Sequence, residues 1–140
     1  MHKFHFKLQK ILEYREAIEE QAKKAYLEKK ARLLEAETAL RQIAKRRHDV
    51  LLSSAHDLAT LQAKETFLLQ LDEEERSQKI IINVLQTEEE KARLLWQEKN
   101  KEAKTLQKLK EHRKQEWIYL FNKEEQNAMD DFATMRRQVA

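Results

Sequence analysis

Not one of the 140 residues is glycine or proline. At ordinary usage, roughly 7% and 5%, a chain this long would carry about 17 of the two together. Glycine supplies positive φ for tight turns, and proline presets turns and interrupts helices. Without either, a fold with many chain reversals is hard to build, which disfavours sandwiches, barrels and wound α/β sheets. Every phosphate-cradling glycine loop is excluded outright. Cysteine is also absent, so there is no disulfide, thiolate zinc site or thiol catalysis. That absence fits a reducing cytoplasm. Charged residues make up 38% and apolar ones 41%, dominated by Ala, Glu, Lys, Leu, Arg and Gln, which is the composition of long helices and coiled coils. The expected class is all-α.

Periodicity locates the helices. Leu8, Leu12, Arg15, Glu19, Ala22, Tyr26, Lys29, Leu33, Ala36, Leu40, Ile43, Arg47 and Val50 recur at alternating steps of four and three, a heptad seam. A second seam runs through Phe67, Leu71, Glu74, Gln78, Ile81, Leu85, Glu88, Ala92, Leu95, Lys99, Glu102, Leu106, Leu109 and Arg113. Charges interrupt both, which predicts a modestly stable coiled coil. Between the seams stands the chain's one cluster of Ser, Asp and Thr punctuation. There Ser54-Ala55-His56-Asp57 fits the Ser-x-x-acid capping pattern. The bend belongs there, with room for a short helix around residues 57–65. The prediction is an antiparallel two-helix coiled-coil hairpin forming one unit over residues 1–140. Its first helix spans about 3–52, its bend about 53–62 and its longer C-terminal helix about 63–137.

Two registers compete. One sets Val50 level with Leu71, Tyr26 with Leu95 and Leu12 with Leu109; the other sets Ile43 level with Leu71 and Leu8 with Leu106. The first has more apolar layers and brings Arg15 near Glu102, Glu19 near Lys99 and Lys29 near Glu88. Either one leaves the last ~20 residues of the second helix without an intramolecular partner. That overhang still carries Leu120, Phe121, Met129, Phe132 and Met135. Exposed apolar helix faces of this kind mark protein-docking surfaces.

Charge is uneven. Residues 1–64 carry 14 basic and 9 acidic side chains, residues 65–98 carry 4 and 9, and residues 99–140 carry 10 and 7. A hairpin would gather the two basic segments at its open end and leave an acidic zone nearer the bend, a polarity suited to different partners at the two ends. The histidines, at 2, 5, 48, 56 and 112, make no compact ligand set on one helix face, so no metal or other cofactor is expected. The Asp72-Glu73-Glu74-Glu75 and Glu88-Glu89-Glu90 runs read as solvated helix faces, because acid–base catalysis needs a water-excluding pocket. The chain reads as a non-enzyme. Lys45-Arg46-Arg47-His48 and the lysines of 99–114 interleave with acidic residues, unlike the dense basic stretch of a zipper-type DNA reader, so no nucleic acid partner is expected. No window approaches a membrane span, which predicts no insertion into the bilayer. The aromatics of Lys3-Phe4-His5-Phe6-Lys7 are expected to pack against Trp117 and Phe121.

These terminal residues carry a resemblance. Phe4-x-Phe6-x-Leu8-Gln9-x-x-Leu12-x-x-Arg15-Glu16, followed by Glu19 and Ala22-Lys23, is similar to the N-terminal pattern of the FliJ family of flagellar type III export proteins. Leu106-x-x-Leu109-Lys110-x-x-Arg113-x-x-Glu116, then Glu124-Glu125 and Asp130-Asp131-x-Ala133, resembles its C-terminal pattern. The likeness covers nearly the whole chain.

The resemblance implies an antiparallel coiled coil shaped like the stalk of a rotary ATPase. It implies a cytoplasmic protein, peripheral to the inner membrane at the flagellar base. Its implied partners are a hexameric export ATPase at the open end, the membrane export gate at the bend, and export chaperones. Carried over, Phe4, Phe6, Trp117, Phe121, Phe132 and Met135 fall at the ATPase-facing end, with Lys108, Lys110, Arg113 and Lys114 steering the approach. Ile43, Val50, Phe67 and Leu71 fall near the gate-facing bend. The equivalent stalk of a virulence injectisome, or a coiled-coil scaffold with no ATPase partner, would share much of this pattern.

Overall fold

The computed structural model describes residues 3–139, apart from the side chain of Val139. His2 lies outside the described residues. Two helices account for almost all of it: α1, Gln9–Leu52, of 44 residues, and α2, Leu58–Val139, of 82. Among the described residues there is no strand. The expected all-α hairpin with a longer second helix is therefore the fold. It divides into two compact units, one of Glu20–Gln97 and one made by the segments flanking it in sequence.

In the Glu20–Gln97 unit, α1 and α2 run antiparallel. Lys29 Nζ donates to Glu88 Oε2 at 3.2 Å, Arg47 pairs with Asp72 at 3.0 Å, and Arg46 reaches Glu74 at 3.4 Å. Tyr26 stacks on Trp96 with ring centroids 5.5 Å apart. Gln78 Nε2 donates to the carbonyl of Ala36 at 2.9 Å, an approach to the opposite backbone that the small alanine side chain leaves open. Ala22, Ala36, Ile43, Leu71 and Ile82 form the buried core here.

The α1 seam lies where its periodicity puts it, except that Arg47 is exposed. The α2 seam does not. Leu71, Gln78, Leu85, Ala92, Lys99 and Leu106 face inward as expected, but the positions between them are shifted by one residue. Ile82 is buried while Ile81 is 48% exposed, and Leu95 is 49% exposed while Trp96 is half-buried on Tyr26. Phe67 yields to Leu68 in the same way. The sequence is degenerate here: runs such as Ile80-Ile81-Ile82 and Leu94-Leu95-Trp96 let the steps of three and four exchange places. The shift moves Glu74, Glu88 and Glu102 from the seam to its flank, where they meet Arg46, Lys29 and Arg15. Continuing the heptad through these contacts sets Ala22 level with Trp96, Tyr26 with Ala92 and Ala36 with Ile82. Large side chains thus face small ones, and the register lies between the two that the sequence offered.

The bend occupies residues 53–57 and α2 begins directly after it, so there is no separate short helix. Asp57, not Ser54, caps α2. Its Oδ1 accepts the Thr60 amide at 2.7 Å and also the Thr60 hydroxyl. These two bonds, the hydroxyl first, hold the Asp57 carboxyl below its ordinary pKa. A carboxylate at this position satisfies an orphan amide and faces the positive end of the helix dipole. At the other side of the bend α1 ends without a left-handed residue, since no described residue has positive φ. Lys64 Nζ takes over that duty, donating to the carbonyls of Leu51 at 3.1 Å and Ser53 at 2.9 Å. A cation on the last carbonyls of a helix replaces the usual glycine cap.

In the flanking unit the two helices are again antiparallel. Arg15 Nη1 donates to Glu102 Oε2 at 2.9 Å, and Asn100 donates to Glu19 at 3.2 Å. Leu12 and Ala103 are buried. The first helix starts later than its periodicity suggested, at Gln9 rather than about residue 3. Residues 3–6 are non-helical, and a turn at Lys7-Leu8 leads into α1.

Candidate functional site

The N-terminal segment lies against α2. Phe6 is 7% exposed, and Phe4 tilts onto Trp117 with centroids 6.1 Å apart. Trp117 in turn stacks on Phe121 at 5.4 Å. The expected packing of these aromatics is present, and its cause is local. Residues 4 and 6 lie on a short non-helical strip that the turn at Lys7-Leu8 joins to α1, while 117 and 121 share one face of α2, one turn apart. A groove of ≈ 450 Å³ remains between strip and helix, lined by Phe4 to Leu8 and by Leu109, Arg113, Glu116, Trp117 and Leu120.

Beyond this cluster α2 is bare. Every residue from 122 to 138 is exposed, Met129, Phe132 and Met135 at 63–68%. The basic residues expected to steer a partner stand just before it. Lys108, Arg113 and Lys114 are exposed and Lys110 is half-buried. None of the four makes an ion pair among the described residues. Thus Phe4, Trp117, Phe121, Lys110 and Arg113 are gathered in one region, Phe6 is buried beneath it, and Phe132 and Met135 stand apart on the bare tail.

The residues assigned to the bend divide differently. Ile43 and Leu71 are interior, at 6% and 1% exposure, so no partner reaches them without unpacking the helices. Val50 is half-buried and Phe67 exposed. What the bend does present is Leu51, Leu52, Leu58 and Leu61, each 51–72% exposed. The sequence reading passed over them because they lie off the seam. Leu51-Leu52 immediately before the Ser53-Ser54 punctuation was the available signal.

No group of three or more His, Asp or Glu among the described residues could hold a metal ion. No described helix is long and apolar enough to cross a membrane.

The model of the FliJ family, described as Flagellar FliJ protein, matches residues 4–139. The chain belongs to the FliJ family. It is therefore a component of the flagellar type III export apparatus, in a family whose role there is non-catalytic. Comparison with curated proteins and with solved structures gives no match. The FliJ match spans both the aromatic cluster and the bare tail, so these are family territory rather than an appendage.

Proposed function

We propose that this FliJ protein is a non-enzymatic, stalk-like element that binds and promotes the hexameric flagellar export ATPase. The supporting observation is the stretch of α2 from 122 to 138, which keeps Met129, Phe132 and Met135 exposed and has no covering element. Apolar side chains held in water along five turns of helix gain free energy when a partner covers them. The end bearing Phe4, Trp117 and Phe121 enters the ATPase ring, and Lys108, Lys110, Arg113 and Lys114 speed its approach to an acidic surface. A two-helix element in a six-fold ring touches the subunits unequally. Unequal contacts give the six sites different energies, which biases nucleotide turnover by population shift. The bend contacts the membrane export gate through Phe67, the edge of Val50 and the exposed leucines 51, 52, 58 and 61. Export chaperones are further partners, and the protein works in the cytoplasm against the inner membrane at the flagellar base.

The experiment is a truncation after Asn122, checked for retained helicity and assayed for ATPase stimulation at low and moderate salt. Loss of stimulation with helicity intact is the expected result. Full stimulation by the folded truncation would remove the tail from the mechanism, and stimulation indifferent to salt would remove the steering residues.

A further inference from the structure

The groove beside the N-terminal segment has the chemistry of a helix-docking site. Its α2 wall is Leu109, Arg113, Glu116 and Leu120, with Trp117 beside them. Of these, Arg113, Trp117 and Leu120 continue the observed three–four series of α2, after Ala103, Leu106 and Lys110, beyond the start of α1 at Gln9, and Leu109 and Glu116 flank it. The seam therefore outlasts its helical partner. The non-helical N-terminal strip and the turn after it cover one side of it with Phe4, Phe6 and Leu8, and Leu120 is left 57% exposed.

Charge selects the occupant. Lys7 and Arg113 line the groove and Lys110 adjoins it, none with an ion-pair partner among the described residues. The one acidic lining residue, Glu116, lies 3.6 Å from His112. A rim with two basic side chains to one acidic around an apolar floor matches an apolar stripe flanked by carboxylates. We propose that this groove receives an acidic amphipathic helix of a partner protein, which takes up the seam of α2 where α1 leaves off. A basic helix would set like charges against Lys7 and Arg113, and an extended acidic strand would not match the heptad spacing of the wall. The proposal rests on the ATPase-binding reading only for which protein carries the helix. The recognition itself is a property of the groove.

The test uses the full chain carrying Trp96→Phe, so that Trp117 is the sole indole. The probe is a synthetic three-heptad peptide with Leu at its seam and Glu on its flanks, compared with the same peptide bearing Lys for Glu. The Glu peptide should shift Trp117 emission and bind about tenfold or more tighter than the Lys peptide. Arg113→Glu should reverse that preference, and Leu120→Asp, at an exposed site, should abolish binding without loss of helicity. Calorimetric titration of the unsubstituted chain checks that Trp96→Phe has not altered the groove. Equal binding of both peptides, equal binding of a glutamate peptide lacking leucine, or binding that survives Leu120→Asp would each overturn the proposal. So would a response to anionic lipid vesicles with none to the Glu peptide. ATPase stimulation by the same variants separates the two readings. Failure of the unsubstituted chain to bind the Glu peptide sinks the groove whether or not stimulation persists, and peptide binding without stimulation upholds the groove while the ATPase reading fails.

Discussion

Ile81 and Ile82 are neighbours of the same type with opposite environments, at 48% and 8% exposure. Truncating each to alanine therefore isolates burial from chemistry. Ile82 lies level with Ala36, itself 8% exposed, where the helices approach closely and a void is poorly refilled. Removing three carbons from a buried isoleucine costs about 2–5 kcal/mol. A two-helix core is thin and can partly collapse, which favours the lower end, about 2–3 kcal/mol. At Ile81 the lost contacts are few, and alanine is the better helix former by a few tenths of a kcal/mol. The net effect there should stay within about 0.5 kcal/mol of zero. The two variants should differ by about 2 kcal/mol, or roughly 4–8 °C in Tm for a chain of this size. Thermal and urea melts followed by far-UV circular dichroism measure this directly. Equal losses, or a larger loss for Ile81→Ala, would mean that α2 presents the other face and that the Tyr26–Trp96 register is wrong.

Leu12→Ala, at a site 3% exposed, should cost about 2–4 kcal/mol. Lys29→Ala should cost under about 1 kcal/mol, because its pair with Glu88 is one-third to two-fifths exposed and screened by water; a larger loss at Lys29 would overturn the ranking of packing over charge. The folded-state pKa of Asp57 lies below its unfolded value of 3.8. Its stabilising contribution is thus complete above that value and is lost as pH falls through the lower, folded one. Urea midpoints taken through this acid window should fall less steeply for Asp57→Asn, which keeps an N-capping oxygen without the titration. Lys64→Met should speed amide exchange in the last turn of α1 while leaving the core amides protected, and unchanged exchange there would deny Lys64 its capping role.

The sequence alone determined that this chain is a pair of helices with one reversal. With no glycine or proline, and with apolar residues recurring every three or four positions, helices that pair along a seam are what buries Leu12, Ala36 and Ile43. It also placed the reversal, because Ser53 to Asp57 is the one stretch whose side chains compete with helical hydrogen bonds, and it left the end of α2 without a partner by simple difference of length. The aromatic cluster was legible too, since Phe4, Phe6, Trp117 and Phe121 stand at the two ends that a hairpin brings together. Tertiary structure decided which face of α2 turns inward. A one-residue shift changes the azimuth of a helix position by only about 100°, and the tripled apolar runs satisfy either choice, so only the fit of Trp96 against Tyr26 and Ala22 discriminates. The same fit decided that Leu51, Leu52, Leu58 and Leu61 are what the bend offers. It likewise gave the caps to Asp57 and Lys64. A carboxylate can accept from an amide three residues on in any chain, but an ammonium reaches carbonyls eleven to thirteen residues back only after the chain has turned.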